Sequence, residues 1–180
     1  MRRMRIEAGA GVVAVFFALA FTGLAQAPAK TEAKVLFDFE NDADVAKWEA
    51  ATADVSLSDE HATAGKKSLK VVLHKAEYPG LTSYRLPLTD WSGSKALKFD
   101  VFADEGLNLA VRIDDENSKD YASRFNLEQN ELKKGANAVS LSLEDIGAKV
   151  DVKKVKMLIL FAVNVDKDTT FYLDNVRLEN

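Results

Sequence analysis

Apolar and polar side chains alternate along most of the chain beyond residue 33, with the period of two residues that is typical of β-strands. In residues 107–114, Leu109, Val111 and Ile113 are separated by small or polar residues. Residues 121–128 repeat the pattern, and the two runs are predicted to pair as a hairpin across residues 115–120. Each run is expected to turn its apolar side toward a core and its polar side toward solvent.

The same pattern, with turn residues between the runs, predicts about ten strands and two short helical turns. Residues 155–163 are apolar at nearly every position, which predicts a central strand that is covered on both faces. The helical turns are predicted within residues 41–49, where Asn41 or Asp42 would cap the turn, and at residues 144–147. The strands are predicted at residues 35–40, 55–59, 68–74, 81–88, 96–102, 107–114, 121–128, 138–143, 155–163 and 171–178.

This spacing predicts an all-β fold, a two-sheet antiparallel β-sandwich formed by one domain over residues 34–180. Asp174 is the least expected residue in the last strand, because alternation places it on the same face as Val176 and Leu178, which point inward. An unpaired carboxylate on that face would be costly. Either a bound cation or hydrogen bonds from a neighbouring loop would relieve the cost, and the pattern leaves both open.

The first 25 residues have the features of a secretory signal peptide. Basic residues at positions 2, 3 and 5 precede an apolar run over residues 11–21, and small residues follow at Gly23, Ala25 and Ala27. We expect cleavage after Ala25, with Ala27 as the alternative site, and a flexible lead-in over residues 26–33. A secreted or periplasmic protein without membrane contact after cleavage is expected, and a retained membrane anchor is the alternative.

Charge and composition narrow the range of partners. The 180 residues carry 24 lysines and arginines against 28 aspartates and glutamates, a net charge of −4 that becomes −6 once residues 1–25 are removed. An acidic protein of this kind is not expected to bind nucleic acid or anionic lipid. The chain has no cysteine, which excludes disulfides, thiol chemistry and cysteine metal sites.

Four short segments resemble calcium-containing carbohydrate-binding modules, in the same order along the chain. They are residues 37–40 (Phe-Asp-Phe-Glu), 65–69 (Gly-Lys-Lys-Ser-Leu), 90–100 (Asp-Trp-Ser-Gly-Ser-Lys-Ala-Leu-Lys-Phe-Asp) and 172–176 (Tyr-Leu-Asp-Asn-Val). The resemblance implies the galactose-binding-like jelly roll as the fold and a polysaccharide or oligosaccharide as the partner.

The resemblance also implies a structural calcium ion away from the sugar site, held where the first strand, a loop and the last strand meet. It assigns to this ion the side chains of Glu40 and Asp174, main-chain carbonyls around Lys66 and Ser68, and Asp38 as a weaker substitute. Oxygen ligands from distant segments suit calcium, which takes about six to eight of them.

A candidate ligand-binding face is predicted on the polar side of the hairpin formed by residues 107–114 and 121–128. Planar donors, carboxylate and amide acceptors and a stacking ring occur there together, which is the chemistry that sugar hydroxyls and pyranose rings require. A solvated sheet face with Arg–Asp cross-strand pairs is the alternative. The predicted residues are Arg112, Asp114, Arg124 and Asn126, with Tyr121 at the rim and Tyr84 from a neighbouring strand.

No catalytic motif is recognisable. The only histidines, His61 and His74, have no companions at metal-ligand spacing, and no nucleophile elbow or phosphate loop is present. The expected function is therefore a secreted, non-catalytic carbohydrate-binding module. The alternatives are an envelope or extracellular structural domain that contacts a protein partner, and a small glycoside-active enzyme that uses Asp114.

Overall fold

A computed structural model describes residues 33–180 of the chain, so the predicted signal peptide and nearly all of the predicted lead-in lie outside the described residues. Within this range no helix has the length and apolar character needed to cross a membrane. Helices α1 (Asp42–Val45) and α2 (Leu143–Gly147) are short, as predicted, and a 3-10 turn covers Tyr121–Ser123. The strands are β1 (Lys34–Phe37), β2 (Trp48–Ala51), β3 (Ala53–Ser58), β4 (Ser68–Leu73), β5 (Gly80–Ser83), β6 (Ala96–Ala103), β7 (Leu107–Asn108), β8 (Ala110–Asp115), β9 (Phe125–Leu127), β10 (Glu131–Leu132), β11 (Gly135–Ser142), β12 (Val155–Phe161) and β13 (Thr169–Glu179).

The strands form two main antiparallel sheets, which confirms the predicted all-β sandwich. One sheet has six strands in the order β11-β6-β13-β4-β3, with β1 paired to the C-terminal half of β13. The other has five strands in the order β2-β5-β12-β8-β9, and β7 and β10 form a separate small pair. The first and last strands are therefore neighbours, and β12 lies at the centre of the five-stranded sheet.

The core between the sheets is built from the inward side chains of both. Phe99 and Phe171 from the six-stranded sheet and Leu158 from the five-stranded sheet have no exposed surface. Both tryptophans belong to this core: Trp91 is fully buried and its indole N–H donates to the carbonyl of Leu88 at 2.8 Å, and Trp48 is 5% exposed. Neither indole ring is therefore available to stack on a ligand.

Two predicted strands are shorter than expected. Only the start of the predicted strand 81–88 is extended, because β5 ends at Ser83 and the chain then leaves the sheet. Residues 121–128 divide into the 3-10 turn and β9, because Asp120 caps the turn with its side chain. The predicted hairpin is nevertheless confirmed, since β8 pairs with β9 and Arg112 lies opposite Asn126.

The central strand β12 differs from the prediction in its burial. Leu158 and Leu160 are fully buried, whereas Ile159 and Phe161 on the opposite face are only half-buried. The prediction that both faces are covered is therefore wrong, because nothing in the described part of the chain packs over the outer face of the five-stranded sheet at this position. Apolar side chains there form the floor of a groove instead.

In the middle of β13, the side of the strand that faces the core changes. Leu173 and Val176 both belong to the hydrophobic core, although they are an odd number of residues apart. A bulge makes this possible: the register with β6 shifts between Asp174 and Arg177, and Asn175 has a φ of +53°. The prediction that Asp174 shares a face with Val176 is wrong, because the bulge separates them.

Asp174 is nevertheless buried, at 1% exposure, because the loop over residues 59–67 covers it. Its carboxylate accepts hydrogen bonds from the backbone N–H groups of Thr63 at 2.6 Å and Ala64 at 2.9 Å. Burial still raises the pKa of the Asp174 carboxyl, because removal from water disfavours its charged form more than these bonds favour it. The same loop is held at its start, where the hydroxyl of Tyr172 donates to Glu60 at 2.7 Å.

We expect the Asp174→Ala substitution to lower the free energy of unfolding by about 3 kcal/mol, because it leaves the backbone N–H groups of Thr63, Ala64 and Asn175 without their acceptor. Denaturation in urea measures the effect. Asp59→Ala is the matched control on the same loop: its side chain is 83% exposed and only pairs with Lys67, so we expect a change within ~0.5 kcal/mol. Equal effects of the two substitutions would contradict the conclusion that hydrogen bonds to Asp174 hold the loop in place.

Candidate functional site

A groove with a volume of about 740 Å³ crosses the outer face of the five-stranded sheet. Each of the five strands of this sheet contributes a residue to the lining, so the groove runs across the strands. The lining residues are Ala51, Tyr78, Gly80, Leu81, Thr82, Asn108, Ala110, Arg112, Tyr121, Arg124, Asn126, Glu128, Gln129, Ile159, Phe161 and Val163.

The floor of the groove exists because small residues flank one aromatic ring. Phe161 of β12 lies between Gly80 of β5 and Ala110 of β8 in the strand register. A Cβ atom at Gly80 would lie 2.5 Å from the carbonyl oxygen of Leu160 and 2.7 Å from the Cβ of Phe161, so only glycine fits. Tyr78 lies at the rim, 59% exposed, with its ring centroid 6.5 Å from that of Phe161.

The polar side of the groove centres on Arg112, whose guanidinium is held in one orientation. Its Nε and Nη2 donate to the two carboxylate oxygens of Asp114 at 2.7 and 2.6 Å. This bidentate contact raises the pKa of Arg112 above its ordinary value. Asp114 is only 6% exposed, so it positions Arg112 and does not itself line the groove.

The 3-10 turn presents Tyr121 at the opposite rim. Asp120 and Ser123 cap the turn reciprocally, and Tyr121 is left 59% exposed. The hydroxyl of Tyr121 donates to Glu128, and this bond raises the pKa of Tyr121. The guanidinium carbon of Arg124 lies 5.2 Å from the Tyr121 ring centroid, a cation–π distance.

Arg124 also has a donor that no described residue uses. Its Nε is buried and has no hydrogen-bond partner within residues 33–180. Buried donors are normally satisfied, and the Arg124 side chain lines the groove. Because this atom has almost no accessible surface, a ligand oxygen would accept from it only after the side chain turned toward the groove.

The structure brings four of the six predicted ligand-binding residues into one groove: Arg112, Tyr121, Arg124 and Asn126. Asp114 holds Arg112 from the position two residues further along β8, and Tyr84 lies outside the groove in a separate concavity with Lys153, Lys154 and Lys156.

Sequence reasoning missed several lining residues, including Tyr78 and Phe161. Phe161 was not recognised as a lining residue because β12 is apolar at nearly every position, and such a strand was interpreted as buried on both faces. Tyr78 did carry a signal, an aromatic residue directly before the Pro79–Gly80 turn.

The residues that the resemblance assigned to calcium lie around one loop. Glu40 accepts hydrogen bonds from the backbone N–H groups of Lys66 at 2.7 Å and Lys67 at 2.8 Å, and these bonds lower its pKa. Gly65, at a φ of +72°, makes this approach possible, because a Cβ there would lie within 2.4 Å of a Glu40 oxygen. Asp174 contacts the same loop two residues earlier.

The other two assigned residues are engaged locally. Asp38 accepts from the backbone N–H of Glu40 at 3.2 Å, and the hydroxyl of Ser68 donates to the carbonyl of Glu60 at 2.6 Å. In this arrangement the loop presents N–H groups to both Glu40 and Asp174, whereas calcium would need carbonyls. Within residues 33–180 no three acidic, histidine or cysteine side chains are grouped as a metal site.

Residues 24–152 match the family model of the carbohydrate binding domain (family 11). The match covers more than half of the chain, so the protein belongs to this family and is a carbohydrate-binding domain. No curated protein matches the sequence at a significant level.

Solved structures share the fold at low sequence identity. The family 11 carbohydrate-binding module from Clostridium thermocellum in complex with a β-1,3-1,4-mixed-linked tetrasaccharide has a TM-score of 0.60 and 16% identity, over 82% of this chain and 95% of that one. A solution structure of CtCBM11 has a TM-score of 0.64 and 19% identity, over 86% and 98%. An exo-β-agarase has a TM-score of 0.68 and 19% identity over 81% of this chain, which spans only 25% of the agarase.

We expect Gly80→Ala to lower both the melting temperature and the affinity for any ligand of the groove, because the new methyl group displaces Phe161 or the Leu160 carbonyl. Gly106→Ala is the control, since a Cβ there would have an ordinary contact of 3.7 Å with the Leu132 carbonyl. Differential scanning fluorimetry measures the melting temperatures of the two variants, and we expect that of Gly80→Ala to be the lower. A Gly80→Ala protein as stable as Gly106→Ala would contradict the close approach of β5 and β12.

Proposed function

We propose that the groove binds a polysaccharide chain and that the protein acts as an exported, non-catalytic module with a structural calcium ion. The observation that carries the proposal is the meeting of stacking and hydrogen-bonding groups in one open groove. Phe161 forms the floor, Tyr78 and Tyr121 form opposite rims, and Arg112 and Arg124 supply donors between them.

This combination suits a sugar chain better than a compact ligand. The groove extends across five strands, and each exposed tyrosine offers a flat face to the C–H side of a pyranose. Hydroxyl groups of the sugar both donate and accept, which matches the guanidinium donors and the Asn126 amide. The family membership and the bound tetrasaccharide in a structure of the same fold support the proposal.

A non-catalytic role is supported by the hydrogen bonds that the carboxylates near the groove already make. Asp114 gives both oxygens to Arg112, and Glu128 accepts from Tyr121. A glycosidase needs two carboxyl groups that face each other across the bond to be cleaved. The alternative of a small glycoside-active enzyme would have to free Asp114 from its arginine.

We test the binding proposal by affinity electrophoresis in gels that contain either mixed-linked β-glucan or agarose. We expect at least one polysaccharide to retard the protein, and Tyr121→Ala to weaken the retardation about tenfold, because one stacking surface is lost.

The control is His61→Ala, which removes an exposed ring of the loop over residues 59–67, where it stacks on Phe102 of the six-stranded sheet. It should migrate like the parent. Retardation that is lost equally in both variants, or that is absent from a broad glycan array, would contradict a sugar site in the groove.

For the calcium proposal, the supporting observation is that two carboxylates without a cationic partner contact one loop. Neither Glu40 nor Asp174 has a lysine, arginine or histidine nitrogen within 4.0 Å among the described residues. A calcium ion bound there would have to displace the loop N–H groups from the carboxylates and take loop carbonyls in their place, and would then hold β1, β13 and the loop together.

If calcium binds there, removal by a chelator lowers the melting temperature, and added calcium restores it, because the ion binds the folded state. Glu40→Gln should abolish the chelator effect while the protein still folds. An unchanged melting temperature in protein that contains no calcium by elemental analysis would show that the loop N–H groups alone satisfy these carboxylates.

A further inference from the structure

A second concavity, with a volume of about 500 Å³, lies at the far end of β12 from Phe161. We call it the basic concavity, because three lysines and one glutamate line it in a protein whose net charge is −4. Its polar lining residues are Tyr84, Thr89, Glu116, Lys153, Lys154 and Lys156.

The strand register connects the basic concavity to the groove. Ser83, the last residue of β5, pairs with Leu158 of β12, so the chain leaves the sheet at Tyr84, close to the preceding residue of β12, Met157. Met157 in turn pairs with Asp114, the residue that holds Arg112 at the edge of the groove. Groove and basic concavity are therefore neighbouring parts of one sheet surface: the groove crosses the strands at Arg112, and the basic concavity lies beside it, further along β12, within reach of a substituent on a sugar ring at that edge.

The lysines of the basic concavity are largely free of protein partners. Lys154 lies 3.7 Å from Glu116, but both side chains are more than half exposed, so this pair is weak. Lys153 and Lys156 have no acidic oxygen within 4.0 Å among the described residues, although Lys153 is close enough to Asp90 to help lower the pKa of that carboxyl. Neighbouring like charges repel, and an anion between them relieves the repulsion.

We propose that the basic concavity binds an anionic substituent, a sulfate ester or a carboxylate, of the polysaccharide whose sugar rings lie in the groove. The proposal rests on the proposed function and extends it to the substrate class. Sulfate and carboxylate oxygens accept hydrogen bonds from lysine ammonium groups, and Tyr84, 52% exposed, offers a ring for the sugar that carries them. The acidic remainder of the protein repels polyanions, which confines such binding to this place.

The test uses mixed-linked β-glucan and agarose, each in neutral, chemically sulfated and C6-carboxylated form, and measures affinity by titration. We expect at least one anionic form to bind about fivefold more tightly than its neutral parent. The double variant Lys153→Gln/Lys156→Gln should lose this advantage and bind the neutral form like the parent. The advantage should also disappear at ~1 M salt, where the Debye length is about 3 Å.

The matched control is Lys133→Gln/Lys134→Gln, which removes the same charge from exposed positions outside both cavities. It should keep the full advantage. Preference for the sulfated form identifies a sulfate ester as the substituent, and preference for the oxidised form identifies a uronic acid.

Three results would overturn the proposal: equal affinity for neutral and anionic forms, equal losses in the two double variants, or equally tight binding of linear polyphosphate. Its failure is distinguishable from failure of the proposed function. If Tyr121→Ala weakens binding of a neutral glycan while the lysine substitutions change nothing, only the anionic substituent is disproved. If no form of either glycan binds, a sugar site in the groove is also disproved for these chains.

Discussion

The sandwich depends on the bulge in the middle of β13, where the side of the strand that faces the core changes. This strand pairs with β4, β6 and β1, and so it joins the start, the middle and the end of the chain in one sheet. The bulge at Asn175 lets Leu173 and Val176 both enter the core, while Asp174 turns to the outer face. A carboxylate in that position is tolerated because the loop over residues 59–67 covers it and donates its N–H groups.

The same loop determines which sheet is free for binding. The outer face of the six-stranded sheet is occupied around β13 by the loop, by the stacked rings of His61 and Phe102, and by the ion pairs of Glu179 with Lys98 and Arg177. The outer face of the five-stranded sheet has no such cover among residues 33–180. Small residues beside β12 leave Phe161 accessible there, so of the two outer faces it is that of the five-stranded sheet that carries an open groove.

Much of the fold follows from the period of two residues, because a half-buried strand must alternate. The pairing of Arg112 with Asn126 and the cap at Asn41 were predictable on local grounds. The bulge at Asn175 was not, since one residue with a positive φ reverses every later side chain, and the only local signal is that asparagine tolerates this conformation. Asp174 was therefore recognised as unusual but placed on the wrong face.

The groove was predicted in part, for a related reason. The lining residues on β8 and β9 were predicted because polar side chains are easily recognised in a strand that alternates. The residues of β12 that form the floor are apolar, and their sequence resembles that of a core strand. Whether Ile159 and Phe161 are covered depends on what lies above the sheet, which is a tertiary property. The separation of Tyr84 from the groove likewise depends on where β5 ends, and no periodic signal marks that point.

The Arg112–Asp114 contact explains how two adjacent parts of one surface can suit different chemistry. Asp114 neutralises the guanidinium from its position two residues further along the same face of β8, so Arg112 offers the groove a directed donor with little net charge. Such a surface favours neutral hydroxyl groups, which gain from geometry and gain little from charge. Lys153 and Lys156 have no comparable bidentate partner in the basic concavity beyond Met157. Along the direction of β12, the side chains on one sheet face therefore change from oriented hydrogen-bond donors to lysines without a close acidic partner.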